Sequence, residues 1–197
     1  TVYESPRPCW ADQARLRRFL TAPMIVVVLL MSACGGDTAP SSPPTPAGTT
    51  ISAADRDASL DAIERWLAAG RADNAETIAR SLSSRLPDDP VVDAALGRAL
   101  LLRSGEIREA FGETAAAAIA ADAANALKRA EDGGRVDAET RRNLGLALEG
   151  AGRLDAAIEA YRRAGSEDPI ARLYLGLALL RADRPEAAAG ILESLAI

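Results

Sequence analysis

Two amphipathic helical patterns, separated by a short break that contains glycine, lie between Arg141 and Pro169. Their inner positions hold Leu144, Ala147 and Leu148 in the first pattern and Ala157, Ile158 and Tyr161 in the second. Apolar residues spaced three and four apart fall on one face of an α-helix. The glycines of the break and Pro169, which cannot donate a helical hydrogen bond, end the two helices. The stretch therefore predicts an antiparallel helical hairpin that cannot bury its apolar faces without neighbours.

Residue sizes in this stretch vary in the way that two crossing helices require. Gly145 and Ala157 are small where the helices approach closely, whereas Leu148 and Tyr161 are large where the gap widens. The full spacing is Arg141-x2-Leu144-Gly145-x2-Leu148, then Ala157-x3-Tyr161 and a closing Pro169. This spacing resembles the tetratricopeptide repeat, except that Arg141 stands where that family usually has tryptophan. The resemblance implies an all-α fold of stacked hairpins.

Copies of the pattern lie on both sides of this stretch. The downstream copy reads Arg172-x2-Leu175-Gly176-x2-Leu179 and then Ala188-x3-Leu192, with Asp183 at the turn. Upstream, one copy begins with Asp93-x2-Leu96-Gly97-x2-Leu100, and a weaker one runs through Ala62, Trp66, Gly70, Ala75 and Pro87. We therefore predict an α-solenoid of about four antiparallel hairpins over residues 52–197, with Ser52 as the cap of the first helix.

The second copy is irregular in length. Turns between the two helices of each hairpin are predicted at Gly70, Gly105, Gly152 and Asp183, which are 35, 47 and 31 residues apart. The family period is about 34 residues, so the middle interval carries roughly 13 extra residues. An alanine-rich run with Gly112 as its one glycine favours a single long helix from Glu106 to Glu131. The alternative is a break near Asp122 that gives two shorter helices.

The first 33 residues have the three-part form of a secretory signal. A basic run ends at Arg18, a short apolar run covers residues 22–31, and small residues precede Cys34. The sequence Leu30-Met31-Ser32-Ala33-Cys34 resembles the lipobox of bacterial lipoproteins, which implies that Cys34 becomes the lipidated first residue after cleavage. An uncleaved membrane anchor is the alternative, although the apolar run is shorter than the roughly 20 residues that span a bilayer. Residues 1–14 do not look like the start of a signal and indicate a misplaced gene start.

Residues 34–51 have the composition of a linker. After Cys34 the chain consists mainly of Gly, Ser, Thr and Pro, and it has almost nothing apolar to bury. At about 3.1 Å per residue, the 16 residues from Gly35 to Thr50 reach roughly 50 Å when extended. We therefore expect it to hold a helical domain clear of lipid headgroups.

The side chains available argue against catalysis and against nucleic-acid binding. The chain has no histidine and no glycine-rich phosphate loop, and lipidation would occupy the thiol of Cys34. Glu149 and Asp155 are a conceivable acid and base pair, but charged residues at helix ends of a repeat array are usually solvated surface. The net charge is −5, with no basic cluster outside the N-terminal segment. We predict no catalytic residue, no metal, no cofactor and no nucleic-acid partner.

The resemblance to the tetratricopeptide family also implies a concave groove, lined by the first helices of successive hairpins, that takes peptides of partner proteins. The first-helix residues left after core positions are assigned are Arg142, Asn143, Leu146, Glu149, Leu173, Leu177, Leu180 and Arg181. Leucines flanked by two arginines would suit an amphipathic segment with an acidic edge. On this view Arg142→Ala is nearly neutral for folding, and the leucines lie outside the core. The alternative for each residue is ordinary exposed helix surface.

These expectations combine into one functional hypothesis. The chain would be a lipid-anchored protein of the bacterial cell envelope, facing the periplasm or the exterior, that acts as a non-catalytic protein-interaction adaptor. One alternative is the N-terminal helical part of a larger envelope enzyme, because the chain stops inside its last helix without the polar cap that solenoids need. Another alternative is a regulator on an uncleaved anchor that faces the cytoplasm.

Overall fold

The computed structural model describes residues 51–165 and 168–195, so the predictions for the signal segment, for Cys34 and for the linker up to residue 50 lie outside it. The helices of the described residues are α1 (Ala53–Ala68), α2 (Ala72–Arg85), α3 (Pro90–Phe111), α4 (Glu113–Asp132), α5 (Ala138–Gly150), α6 (Leu154–Ala164), α7 (Pro169–Arg181) and α8 (Pro185–Glu193). They form four hairpins: hairpin 1 (α1, α2), hairpin 2 (α3, α4), hairpin 3 (α5, α6) and hairpin 4 (α7, α8). The predicted all-α solenoid of about four antiparallel hairpins is confirmed.

Each hairpin begins with a helix whose N-terminus is capped by a side chain. The capping residues of α1, α3, α5 and α7 are Ser52, Asp89, Asp137 and Asp168, and each accepts a hydrogen bond from a backbone N–H of the first turn. Such caps satisfy N–H groups that have no partner within the helix. The second helices have no side-chain cap of this kind in the structure. The predicted cap at Ser52 is confirmed, and the same device starts every later hairpin.

The two helices of a hairpin cross where a glycine on the first helix meets a large side chain on the second. These pairs are Gly97 with Leu127, Gly145 with Tyr161, and Gly176 with Leu192. A Cβ atom added to any of the three glycines would lie less than 3.0 Å from its partner's side chain. Hairpin 1 reverses the sizes, because the equivalent positions hold Ile63 on the first helix and Ala79 on the second, both fully buried.

Hairpin 2 differs from its prediction. Its turn lies at Gly112, so the turn predicted at Gly105, the continuous helix from Glu106 to Glu131 and the alternative break near Asp122 are all wrong. Gly112 has a φ of +88°, a conformation that L side chains rarely adopt, and it separates α3 from α4. The extra residues lengthen both helices on the tip side of the glycine crossing. As a result α3 has 22 residues and α4 has 20, against 13 and 11 in the two helices of hairpin 3.

The apolar core has two parts. One joins hairpins 1 and 2 to the near side of hairpin 3, and the other joins hairpins 3 and 4. Of the six residues predicted at inner positions of hairpin 3, five are buried, and Leu148 is half-buried against both parts. Charge adds to this packing, because Glu131 on α4 accepts hydrogen bonds from Arg141 on α5 and Arg163 on α6. None of the helices described above is both long and apolar enough to cross a bilayer.

Candidate functional site

A cavity of about 790 Å³ opens between the tip of hairpin 2 and the first helices of hairpins 3 and 4. The end of α3 and the start of α4 form one wall, and α5, the start of α6 and α7 form the floor and the other wall. Ligand pockets of proteins usually measure about 300–1,000 Å³. The cavity is therefore large enough to take several side chains of a partner.

One wall of the cavity exists because hairpin 2 is longer than its neighbours. Helix α3 is nine residues longer than α5 (22 against 13), which at 1.5 Å per residue adds roughly 14 Å. The added turns bring Arg108, Glu113, Thr114 and Ala117 to the cavity. At the base of the wall, a Cβ atom on Gly150 of α5 would lie 3.0 Å from that of Ala120. The wall and the floor therefore meet closely.

The floor of the cavity is apolar. Leu146, Tyr174 and Leu177 line it, and the ring of Tyr174 stacks on the fully buried ring of Tyr161, with centroids 5.7 Å apart and planes inclined by 28°. Stacked aromatic pairs of this kind add to the stability that burial provides. Leu177 is 37% exposed, whereas Leu146 is half-buried and packs against the core of hairpins 3 and 4. The expectation that both leucines lie outside the core is therefore wrong for Leu146.

A polar network crosses the base of the cavity. The Tyr161 hydroxyl donates to the Glu149 carboxylate at 3.0 Å, and the same carboxylate forms an ion pair with Arg181. Burial, with a smaller contribution from Tyr174, raises the pKa of Tyr161 far above its usual value. The hydroxyl therefore stays protonated at neutral pH and remains a donor. Glu149, as the shared acceptor, holds α7 against hairpin 3.

The structure brings together half of the predicted groove residues. Those that line the cavity are Leu146, Glu149, Leu177 and Arg181. Those that lie outside it are Arg142, Asn143, Leu173 and Leu180. On α7, Leu173 and Leu180 are nevertheless exposed. Binding of a partner through any of the eight residues stays a prediction.

Arg142 contacts a buried carboxylate. Its guanidinium pairs with Asp168, which is buried and caps α7 by accepting from the N–H groups of Ile170 and Ala171 at 2.8 and 3.2 Å. Burial raises the pKa of Asp168, but the two backbone hydrogen bonds and the charge of Arg142 outweigh it, so the pKa is lowered. Arg142 therefore links α5 to α7. Because Arg142 and Arg181 both pair with carboxylates, they do not provide the free positive edge that an acidic ligand would need.

The cavity residues that hairpin 2 contributes were not predicted from the sequence. Arg108, Glu113 and Thr114 are exposed at the edge of the cavity, yet the prediction placed them within one unbroken helix from Glu106 to Glu131. A signal was available. The spacing Ala123-x3-Leu127 repeats that of Ala157-x3-Tyr161, and it would have placed the second helix correctly.

The cavity offers binding groups and few reactive ones. Its ionisable residues are Arg108, Glu113, Glu149, Tyr174 and Arg181, and Glu149 and Arg181 neutralise each other. Within residues 51–165 and 168–195, no three side chains of metal-binding type converge on one point. The arrangement can accept apolar side chains on its floor and polar groups at its edge.

Comparison with known proteins concerns the fold alone. No protein-family model matches the sequence, and no curated protein matches it. Among solved structures, the chain is similar to MamA 41-end from Desulfovibrio magneticus RS-1, with 19% identity, a TM-score of 0.38, and coverage of 71% of this chain and 92% of that one. A crystal structure of MamA protein has 18% identity, a TM-score of 0.37, and coverage of 71% and 89%. Scores this low indicate a loosely shared helical arrangement and carry no functional argument.

Proposed function

We propose that this protein is a non-catalytic adaptor that holds a segment of a partner protein in the cavity between hairpin 2 and hairpins 3 and 4. The observation that carries the proposal is the cavity itself, with its volume of about 790 Å³, its apolar floor and its charged edge. Covering exposed apolar side chains in a concave site is favourable, and polar groups at the edge orient what binds there.

The cavity fits an amphipathic segment better than a uniformly acidic one. Leu146, Tyr174 and Leu177 would take the apolar side chains of the segment. At the edge, Arg108 and Glu113 are exposed and carry opposite charges, whereas the charge of Arg181 is already matched by Glu149. A ligand with both signs of charge beside its apolar face therefore matches this edge.

The sharpest test uses two neighbouring residues of α4. Ala117 lines the cavity, whereas Ala118 is exposed outside it. We expect Ala117→Glu to weaken capture of partner proteins by crosslinking in intact cells, because the new carboxylate would be desolvated in an apolar site when the partner binds. Ala118→Glu adds the same charge one residue away and should leave capture unchanged. Equal capture by the two variants would place the binding site elsewhere.

We also propose that a lipid on Cys34 holds the helical array at the bacterial envelope, facing the periplasm or the exterior. The support is the basic run, the short apolar run and the resemblance of residues 30–34 to a lipobox. Stable attachment requires more than one acyl chain, as that resemblance implies. The intact mass of the protein purified from membranes should correspond to a lipidated chain that begins at Cys34. An uncleaved chain with unmodified Cys34 would contradict the proposal.

The two competing functions make separate predictions. If the helical array belongs to a larger envelope enzyme, the reading frame continues beyond Ile197 into a domain with its own catalytic residues. If it is a regulator on an uncleaved anchor, protease added outside the inner membrane will not reach hairpins 1 to 4.

A further inference from the structure

An apolar seam runs along α7. Ile170, Leu173, Leu177 and Leu180 are exposed to 51%, 44%, 37% and 48%, and they are four of the six large apolar residues that are exposed in the described part of the chain. Their spacing of three, four and three residues is that of a coiled-coil contact. We call these four residues the α7 seam.

The repeat register shows what this face does in the other first helices. With the crossing glycines taken as equivalent, Leu173, Leu177 and Leu180 correspond to Arg142, Leu146 and Glu149 on α5, and to Ala94, Arg98 and Leu101 on α3. On α5, Arg142 pairs with the capping residue of α7, and Glu149 pairs with Arg181 of α7. On α3, Arg98 forms an ion pair with Glu139 of α5, with 3.6 Å between Nε and Oε1. In both helices this face therefore contacts the first helix of the following hairpin.

The internal joints, which are the contacts between successive hairpins, combine apolar packing with ion pairs, whereas the four residues of the α7 seam are all apolar. Glu64 on α1 pairs with Arg98 on α3, and the joint between α5 and α7 contains the two ion pairs given above. Each internal joint thus has two different surfaces that match each other. A charged partner surface on the α7 seam would be desolvated without an opposite charge, which is unfavourable. The complement of the seam is a second apolar stripe.

Head-to-tail docking of α1 onto the α7 seam fits poorly. With the turn glycines Gly70 and Gly152 taken as equivalent, the α1 residues at the positions that later hairpins bury are Ala58, Ala62 and Arg65. At the second and third of these positions α5 and α7 bury a leucine and an alanine, whereas α1 has an alanine and an exposed arginine. Among the described residues, the large apolar stripe that matches the α7 seam is the seam itself, and identical surfaces pair around a two-fold axis.

We propose that the α7 seam binds the α7 seam of a second copy of this chain, which gives a two-fold dimer. The seam shares Leu177 with the cavity, but Leu173 and Leu180 lie outside it, so variants of these two residues test the dimer separately from the adaptor function. Four partly exposed side chains bury less than the about 800 Å² per partner of a standard interface. We therefore expect weak association that increases with protein concentration.

Sedimentation velocity of the full chain in detergent, from low to high micromolar concentration, tests the dimer. We expect the mass to rise from that of one chain to that of two. Leu173→Glu combined with Leu180→Glu should remain a monomer throughout, with unchanged helical content. Val136→Glu alters an exposed apolar residue elsewhere, and this control should associate like the unmodified chain. A monomer at every concentration for the unmodified chain, or association that persists in the double variant, would overturn the proposal.

A mixture of two variants tests whether the seam binds itself. Leu173→Lys combined with Leu180→Lys should also be a monomer alone, because like charges would face each other. Mixing this variant with the glutamate variant should restore the dimer, since opposite charges then meet across the two-fold axis. A mixture that stays monomeric shows that the seam takes a different helix, from another protein or from a longer form of this one, and overturns self-association.

Discussion

A Cβ atom added to Gly145 would lie less than 3.0 Å from three ring atoms of Tyr161. The ring cannot withdraw easily, because Tyr174 stacks on it and Glu149 accepts from its hydroxyl. We therefore expect Gly145→Leu to lower the free energy of unfolding by about 1–3 kcal/mol or more, through overpacking at the helix crossing. Chemical denaturation measures this change.

Gly105 provides the matched control for Gly145. It also lies within a first helix, but a Cβ atom there would have nothing within 4 Å. Gly105→Ala should raise the free energy of unfolding by about 0.5–1 kcal/mol, because alanine has less freedom to lose in a helix. Equal losses in the two variants would show that the glycine crossing has been assigned to the wrong face.

Arg142→Ala should be clearly destabilising, contrary to the expectation from sequence. The substitution leaves the buried carboxylate of Asp168 without its cation, and losses of about 1–3 kcal/mol are typical of such cases. Arg162→Ala is the control, because its ion pair with Glu159 is exposed and should contribute less than about 1 kcal/mol. The denaturant midpoints of the two variants measure the difference, and the midpoint of Arg142→Ala should be the lower one. Similar midpoints would mean that the link between α5 and α7 is weak in solution.

Acid should weaken the fold through the capping residues. The hydrogen bond from Arg56 lowers the pKa of Asp89 despite burial, and the pKa of Asp168 is also lowered. A carboxyl group with a lower pKa in the folded state stabilises the fold above its unfolded value of 3.8, and this contribution is lost as the pH falls through the folded pKa. We expect the melting temperature to drop below about pH 4. The drop should be smaller in Asp168→Asn, and an identical drop would contradict this role of Asp168.

Alkali should reveal the buried state of Tyr161. Its pKa is raised above the ordinary value of 10.0, so the stability that it contributes is present below about pH 10 and is lost as the pH rises further. Ultraviolet titration should therefore show this phenol ionising only as the protein unfolds. Tyr161→Phe should remove that step and cost about 1 kcal/mol through the lost hydrogen bond to Glu149. Ionisation near pH 10 in the folded protein would contradict the burial.

The two cavity leucines should respond differently to a charge. Leu146 packs against the core of hairpins 3 and 4, so Leu146→Asp should lower the unfolding midpoint. Leu177 is 37% exposed, and Leu177→Asp should leave helical content and midpoint nearly unchanged. Circular dichroism followed through thermal unfolding measures the helical content and the midpoint of both variants. Capture of partner proteins is therefore best tested with Leu177→Asp and Ala117→Glu, which leave the core intact.

Hairpins 3 and 4 were predictable because the information that defines them is local. The small residue at Gly145 or Gly176 lies 16 positions before its large partner, Tyr161 or Leu192, and both lie in one repeat-length window. Apolar periodicity within that window indicates the two inner faces. Burial of Ala157, Ile158 and Tyr161 confirms the faces assigned to the second helix of hairpin 3.

Hairpin 2 and the cavity could not be obtained by the same reasoning. Leu127 lies 30 positions after Gly97, and two glycines, Gly105 and Gly112, compete as the turn in between. Helix propensity cannot choose between them, because the choice depends on which one has a positive φ in the folded chain. The cavity depends on that choice, since residues near 114 meet residues near 149 and 177 only when the turn lies at Gly112.

Nearly all the added length of hairpin 2 lies on the tip side of its crossing, beyond the contact of Gly97 with Leu127. The core residues that hold hairpins 1 and 3 against it end at Leu101 on α3 and resume at Ile119 on α4, so the outer tip between them contributes none. Paired insertion or deletion of whole turns at the tip would raise or lower one rim of the cavity without moving the stack. The depth of the binding site can therefore change in steps of one helical turn, through the length of hairpin 2 alone, while the core sequence stays the same.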